Sequence, residues 1–216
     1  MSVVFKNMYH PVTVTEVQYL NEQLKKVRFE GDFPKTKFTP GSVVEFRVTP
    51  NDFRHYTPSC FSTAAGVCEI IFYLHGNGPG RRLQTGDTIK LLGPGGKLSY
   101  VEGFRHHFVF GDETTVGLMD CIRKEADKNG DSFFALIEVQ EAHRDWVNLF
   151  SAEPLKCVMS SFEDPAVFAI RFLDKSLDWM TAIRNTCFYL TGRAKSILAM
   201  RKYLISKGAD MKQIKT

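Results

Sequence analysis

The chain has 216 residues, 44% hydrophobic and 24% charged, with a net charge of +4, a composition ordinary for a globular protein long enough for two modest domains. No run approaches the ~20 apolar residues of a membrane helix, and the N-terminus MSVVFKNMYHPVTVTE lacks the basic-then-apolar layout of a signal peptide, so neither membrane insertion nor secretion is expected. Five scattered cysteines (Cys60, Cys68, Cys121, Cys157, Cys187), odd in number and never spaced C-x-x-C, argue against a disulfide framework or a zinc site; free thiols in a reducing cytoplasm are expected.

The first hundred residues read as strands. VTVTEVQYL (12–20), LKKVRFEG (24–31) and SVVEFRVT (42–49) alternate apolar with polar residues or carry β-branched ones. Turn signals separate them: Asn-Glu at 21–22, DFPK at 32–35 and TPGS at 39–42. VCEIIFYLHG (67–76) and TIKLLGP (88–94) continue the pattern, which predicts an antiparallel Greek-key β-barrel over residues 1–103. Beyond Gly103 the period changes. Short apolar runs at 106–112, 133–139 and 187–192, with a weaker one at 153–161, alternate with helical patterns at 114–130, 165–185 and 194–208. Strand and helix in alternation predict a parallel-sheet α/β domain over 104–216. In its last helix Ala194, Ile197, Leu198, Arg201, Leu204 and Ile205 share the face expected to be buried. From Arg193 onward seven Lys/Arg meet one acid, Asp210, so this tail carries +6 and the remainder −2. Only Tyr203 is interleaved with those charges, so a solvated helix face is expected there and not a nucleic-acid surface.

Four stretches carry residue types suited to chemistry. In FRHYTPSCF (53–61), Arg54 and Tyr56 lie two apart and share a strand face, with Thr57 and Ser59 adding hydroxyls. A guanidinium grips phosphate with two parallel hydrogen bonds, and a tyrosine ring stacks on a flat heterocycle. Ordinary cross-strand polar pairing is the alternative. LHGNGPGRR (74–82) supplies His75, Gly76, Gly78, Pro79 and Gly80, then Arg81 and Arg82, a turn that lets backbone approach an anion closely; a plain surface turn has the same composition. FVFGDETTVG (108–117) and CFYLTGRAKS (187–196) are two strand-to-helix junctions. The first holds Gly111, Asp112, Glu113 and Thr114 and the second Gly192, Arg193 and Lys195, the positions where a parallel sheet receives a nucleotide. Glu138 and Glu141 are candidates for a ribose 2′-hydroxyl, and His143 and Arg144 for a 2′-phosphate. His106 and His107 are expected at the surface, and Trp146 and Trp179 in the core or a lid.

The order R-x-Y-T, H-G-x-G-P, G-D-x-I-x-L-x-G-P, G-D-E-T and a late Y-x-x-G before a basic helix resembles the siderophore-interacting proteins, a branch of the ferredoxin–NADP reductase superfamily, from about Val12 to Gly208. The resemblance implies an FAD-binding barrel, with FMN less favoured, followed by a nicotinamide-nucleotide domain. It places Arg54 on the FAD phosphates, Tyr56 against the flavin and ribityl chain, and Thr57 near the flavin N5, where hydride arrives. It sets His75 and Gly76 at the flavin edge, and Gly78, Pro79 and Gly80 around the pyrophosphate. Gly111, Asp112, Glu113, Thr114 and Gly192 shape the nicotinamide side. Members of that family usually carry a second arginine where Ser59 stands and a glutamate where Arg193 stands.

The expectation is therefore a cytoplasmic flavoprotein oxidoreductase that takes electrons from NADH or NADPH through FAD to a ferric siderophore or similar ferric chelate. Arg193 and Lys195 would attract the anionic chelate. The alternatives are a reductase serving a protein acceptor, a ferredoxin or an oxygenase, and a non-catalytic flavin-binding module.

Overall fold

The computed structural model describes residues 9–33, 38–49, 52–96, 98–150, 155–176 and 182–216, and the chain divides into two units, Met1–Ser99 and Tyr100–Thr216. The first unit holds β1 (His10–Tyr19), β2 (Leu24–Gly31), β3 (Val43–Thr49), β4 (Asp52–Tyr56), β5 (Cys60–Ser62), β6 (Val67–Tyr73) and β7 (Thr88–Gly95). Alternation decides which side chains turn inward: Val12 and Val14 of β1, and Val27 and Phe29 of β2, are buried while their neighbours are not. The Asn21 side chain makes the β1–β2 turn by accepting from the Gln23 and Leu24 N–H groups at 2.8 and 2.7 Å.

All pairings in this sheet are antiparallel, in the order β4-β3-β7-β1-β2-β6-β5. In a flat sheet β4 and β6 would lie five strand spacings, ~24 Å, apart. Instead the Tyr56 and Phe72 rings meet edge-on at 4.7 Å, and Phe46 of β3 meets Phe72 at 6.0 Å. The sheet therefore curls until its ends face each other, as the alternating pattern predicts for a barrel. Phe29, Phe46, Ile70, Phe72, Leu74 and Leu91 fill its interior.

The second unit holds β8 (His106–Asp112), α1 (Val116–Asn129), β9 (Ser132–Val139), β10 (Leu155–Met159), α2 (Val167–Lys175), β11 (Thr186–Leu190), α3 (Ala194–Ser206) and β12 (Ile214–Lys215). Its strands are parallel, in the order β10-β9-β8-β11-β12. Because the order reverses between β8 and β11, right-handed crossovers place α1 on one face and α2 and α3 on the other. The α2–α3 face packs Ala169, Leu173, Met200 and Leu204 onto Phe108, Phe110, Leu136, Phe188 and Leu190.

Three details depart from the sequence reading. Of the helix expected over 165–185, the described residues show α2, Val167–Lys175. Ala166 before it is left-handed (φ 62°), held by an N–H bond to Glu138 Oε1, and Ser176 after it is extended (φ −103°, ψ 92°). Ile183–Asn185 is a separate 3-10 turn; Trp179 lies outside the described residues. In α3 the inward row is Ser196, Met200 and Leu204, whereas Leu198 is 53% and Ile205 40% exposed. His107, expected at the surface, is buried because β8 is the central strand and is covered on both faces.

The His107 ring stacks on Tyr100 (4.2 Å, 21°), and its Nδ1 lies 3.1 Å from the Tyr189 hydroxyl, which accepts the Val101 N–H at 3.0 Å. With that hydroxyl donating to Nδ1, the ring proton sits on Nε2, buried 3.7 Å from Asp131 and with no hydrogen bond of ordinary geometry among the described residues. Asp131 also accepts from Tyr100 Oη at 2.8 Å and pairs with Arg105 at 3.3 Å. Burial lowers the His107 pKa from its ordinary 6.5, with the Asp131 charge opposing that shift. Unfolded chains therefore bind a proton at this ring before folded ones do, and stability falls as pH drops below about 6.5 until the lowered pKa is reached. Thermal melts from pH 8 to pH 5 are expected to lose less stability in His107→Gln than in the native chain; identical pH slopes would remove His107 as the source.

Candidate functional site

In the barrel unit, register brings the expected residues together. Arg54 pairs with Phe46 and Tyr56 with Val44, so both side chains take the inward direction of β3. Arg54, on the end strand of the sheet, is exposed, and its Nη1 donates to the Phe53 carbonyl at 3.0 Å. Tyr56 is half-buried against Phe46 and Phe72.

The glycine turn stands over the same aromatic pair. After β6 the chain passes through His75, exposed and 5.0 Å from the Tyr73 ring, and Gly76 at φ +53°. It then makes a 3-10 turn over Pro79–Arg81 whose first bond is Arg81 N–H to Gly78 O at 3.3 Å. That bond leaves the Gly80 N–H ahead of it with no acceptor inside the turn. A Cβ on Gly78 would lie 4.0 Å from the Tyr56 hydroxyl, and one on Gly80 would lie 2.7 Å from the Phe72 ring. The turn thus needs glycine where it rests on Phe72, and it presents backbone beside Tyr56.

Two cations fasten this turn. Arg81 Nη2 donates to the Leu74 carbonyl at 2.6 Å, and the buried Lys25 donates to the Leu83 carbonyl at 2.6 Å. Arg54, Arg81 and Arg82 are all exposed. Thr57 is half-buried one residue beyond Tyr56. Ser59 is buried and faces away, its Oγ donating to the Glu69 carbonyl at 3.3 Å and its N–H to the same oxygen at 2.8 Å. It extends the β5–β6 ladder.

In the α/β unit, the tips of β8, β9 and β11 meet where the strand order reverses. Asp112 and Glu138 are register partners, and a Cβ on Gly192 (φ +89°) would lie 2.7 Å from the Asp112 carboxyl. Asp112 caps the turn that follows it, Oδ1 accepting from Thr114 N at 3.0 Å and Thr114 Oγ1 at 2.6 Å. Glu113 is buried and points sideways, Oε1 accepting from the Gln140 N–H at 2.8 Å with His143 Nδ1 at 3.1 Å. Gly111 is required because a Cβ there would meet Thr115 Oγ1 at 2.0 Å.

Glu138 is committed too. One oxygen accepts from Ala166 N–H at 3.1 Å and the other pairs with Arg193 Nη2 at 3.2 Å. Burial pushes its carboxyl pKa up, opposed chiefly by Ser196 and Arg193. Arg193, one-third exposed, is tied to the sheet by this pair, while Lys195 stands exposed on the first turn of α3. Glu141 is exposed and pairs with Arg144 at 2.7 Å, and Trp146 is buried on the His143 ring at 4.4 Å.

Two buried polar atoms at this corner, Arg193 Nε and Thr115 Oγ1, have no hydrogen-bond partner among the described residues. Sequence reasoning passed over Thr115, Phe72 and Lys25: nothing in a strand or turn composition marks a residue that matters through what rests on it. Gly80→Ala and Gly192→Ala are each expected to destabilise by about 1–3 kcal/mol, through overpacking on Phe72 and through a strained left-handed alanine against Asp112. Gly76→Ala, which faces open space at φ +53°, is expected to cost only about 1 kcal/mol. Urea midpoints of the three variants measure the difference.

No protein-family model matches the chain, and no curated protein does. Solved structures do. The ferredoxin reductase of a carbazole 1,9a-dioxygenase superposes with a TM-score of 0.77 at 19% identity, over 95% of this chain and 68% of that one. The siderophore-interacting protein SipS from Aeromonas hydrophila gives 0.70 at 18%, over 96% and 90%. The flavohem-like FAD/NAD-binding domain of a nitric oxide dioxygenase from Vibrio cholerae gives 0.69 at 18%, over 95% and 96%. The chain shares the fold of the ferredoxin reductases and siderophore-interacting proteins, a β-barrel unit followed by a parallel α/β unit.

Proposed function

We propose that the chain is a flavin-dependent NAD(P)H oxidoreductase, with the barrel unit, Met1–Ser99, holding FAD and the α/β unit, Tyr100–Thr216, holding the nicotinamide nucleotide. The observation that carries this reading is the meeting of Tyr56 and the Gly78–Gly80 turn at the Phe72 ring, with Arg54 two residues before Tyr56 on the same face of β4. An exposed guanidinium suits a diphosphate, a half-buried tyrosine suits the edge of a flat ring, and a glycine turn half-buried at Gly78 suits close approach of a phosphate oxygen. Bound flavin supplies the hydride and single-electron chemistry; the chain binds, orients and shields it. Arg54 would hold the phosphates, with Gly78, Pro79 and Gly80 beside them. Tyr56, Thr57, His75 and Gly76 would border the ring system. Ser59 would act only through the strand it secures.

On the nicotinamide side, Gly111, Thr114 and Gly192 would give close approach at the strand tips. The orphaned Arg193 Nε and Thr115 Oγ1 have the polarity a nucleotide would satisfy. Asp112 and Glu113 would shape this corner through the turn they brace. The acceptor favoured by the motif order is a ferric siderophore or related ferric chelate, drawn by Arg193 and Lys195.

Purified protein is expected to bind FAD, to be bleached anaerobically by NADH or NADPH, and to recover its colour on addition of a ferric chelate; protein that stays colourless in excess FAD and FMN would refute the proposal. Arg54→Ala is expected to weaken flavin binding about 10- to 150-fold, ~1.5–3 kcal/mol, as measured by flavin fluorescence quenching.

A further inference from the structure

α3 carries apolar residues on both of its faces. Inward it packs Met200 and Leu204 into the core; outward it shows Leu198 at 53% and Ile205 at 40% exposure, with Met211 of the following turn at 63%. Met211 continues that outward surface, since Arg201 Nη2 lies 3.9 Å from its sulfur. Leu198, Arg201, Lys202 and Ile205 are spaced i, i+3, i+4, i+7, a stripe two turns long on the side away from the sheet. A helix apolar on both faces is ordinarily covered on both.

The charges around this stripe indicate what covers it. Lys195 and Lys202 are exposed at its flank and Lys212 lies beside Met211, and none of the three has a carboxylate partner among the described residues. Asp210, the one acid from Arg193 to the C-terminus, is spent capping the turn at Met211–Gln213. A second copy of the chain would bring the same unneutralised cations to the contact. A bilayer takes up a helix whose apolar and basic residues are segregated, whereas here Lys202 sits between Leu198 and Ile205. An aliphatic centre rimmed by cations is the layout of a protein interface with a complementary acidic surface.

We propose that the outward stripe of α3 docks an acidic, leucine-bearing helix of a partner protein, seating its aliphatic side chains on Leu198, Ile205 and Met211 and its carboxylates on Lys195, Lys202 and Lys212. This surface is independent of the flavin assignment. The probe is a fluorescein-labelled amphipathic peptide of about three heptads, with leucine at core positions and glutamate flanking them. Anisotropy titrations with the full chain are expected to show binding that weakens as NaCl rises from about 0.05 to 0.5 M. Leu198→Asp and Lys202→Glu, both at exposed positions, are each expected to weaken it at least about fivefold. Far-UV circular dichroism and FAD binding should be unchanged in both variants.

Absence of binding by the native chain, or binding unaffected by both variants, would overturn the proposal. So would tighter binding to vesicles containing phosphatidylserine, or to a DNA duplex, than to the peptide. Peptide binding by a preparation that takes up no flavin would uphold the docking surface and defeat the flavin reading alone.

Discussion

The contact of Tyr56 on Phe72 is the constraint on which the barrel unit depends. It joins strands near opposite ends of a seven-stranded sheet, and only a curled sheet brings them within 4.7 Å. Edge-on aromatic pairs contribute ~0.5–1.5 kcal/mol beyond the area they bury, and here Phe46 adds a third ring to the pair. The same closure brings Tyr56 of β4 beside the turn after β6 that rests on Phe72, so residues more than twenty positions apart meet.

The α/β unit solves a different problem. Two carboxylates, Asp112 and Glu138, sit side by side at buried strand tips, where isolated charges are costly. Asp112 is satisfied locally by the turn that it caps, and Glu138 by Arg193 and a backbone N–H. Pairing of this kind offsets desolvation more than it adds stability. It also means that Arg193 serves the scaffold first, and any contact it offers a ligand comes from the part of the guanidinium left over.

Much of this was legible in the sequence. Period-two alternation marked most of the barrel strands, and alternating strand and helix marked the parallel sheet. The glycines at 78 and 80 marked the turn that rests on Phe72. What escaped has physical reasons. β5 and β12 are three and two residues long, too short for a period to register. The inward row of α3 includes a serine, so the hydropathy pattern favoured a row some 100° away. The Ser59 hydroxyl looked free as a residue type, but a ladder partner ten residues away, Glu69, claimed it. Glu138 and Glu113 were legible as acids, not as acids already engaged; burial and partner choice belong to the folded chain.

The Tyr189 hydroxyl serves as acceptor for Val101 and neighbour to His107, although some eighty residues of chain separate it from both. β11, which carries Tyr189, is also the strand that covers the second edge of β8. During synthesis the early part of this unit therefore leaves the ribosome with its central strand half-paired, and it waits for residue 190 before that edge can close. The interval is long in sequence terms, and throughout it the nascent chain exposes an apolar strand edge of the kind that chaperones exist to shelter.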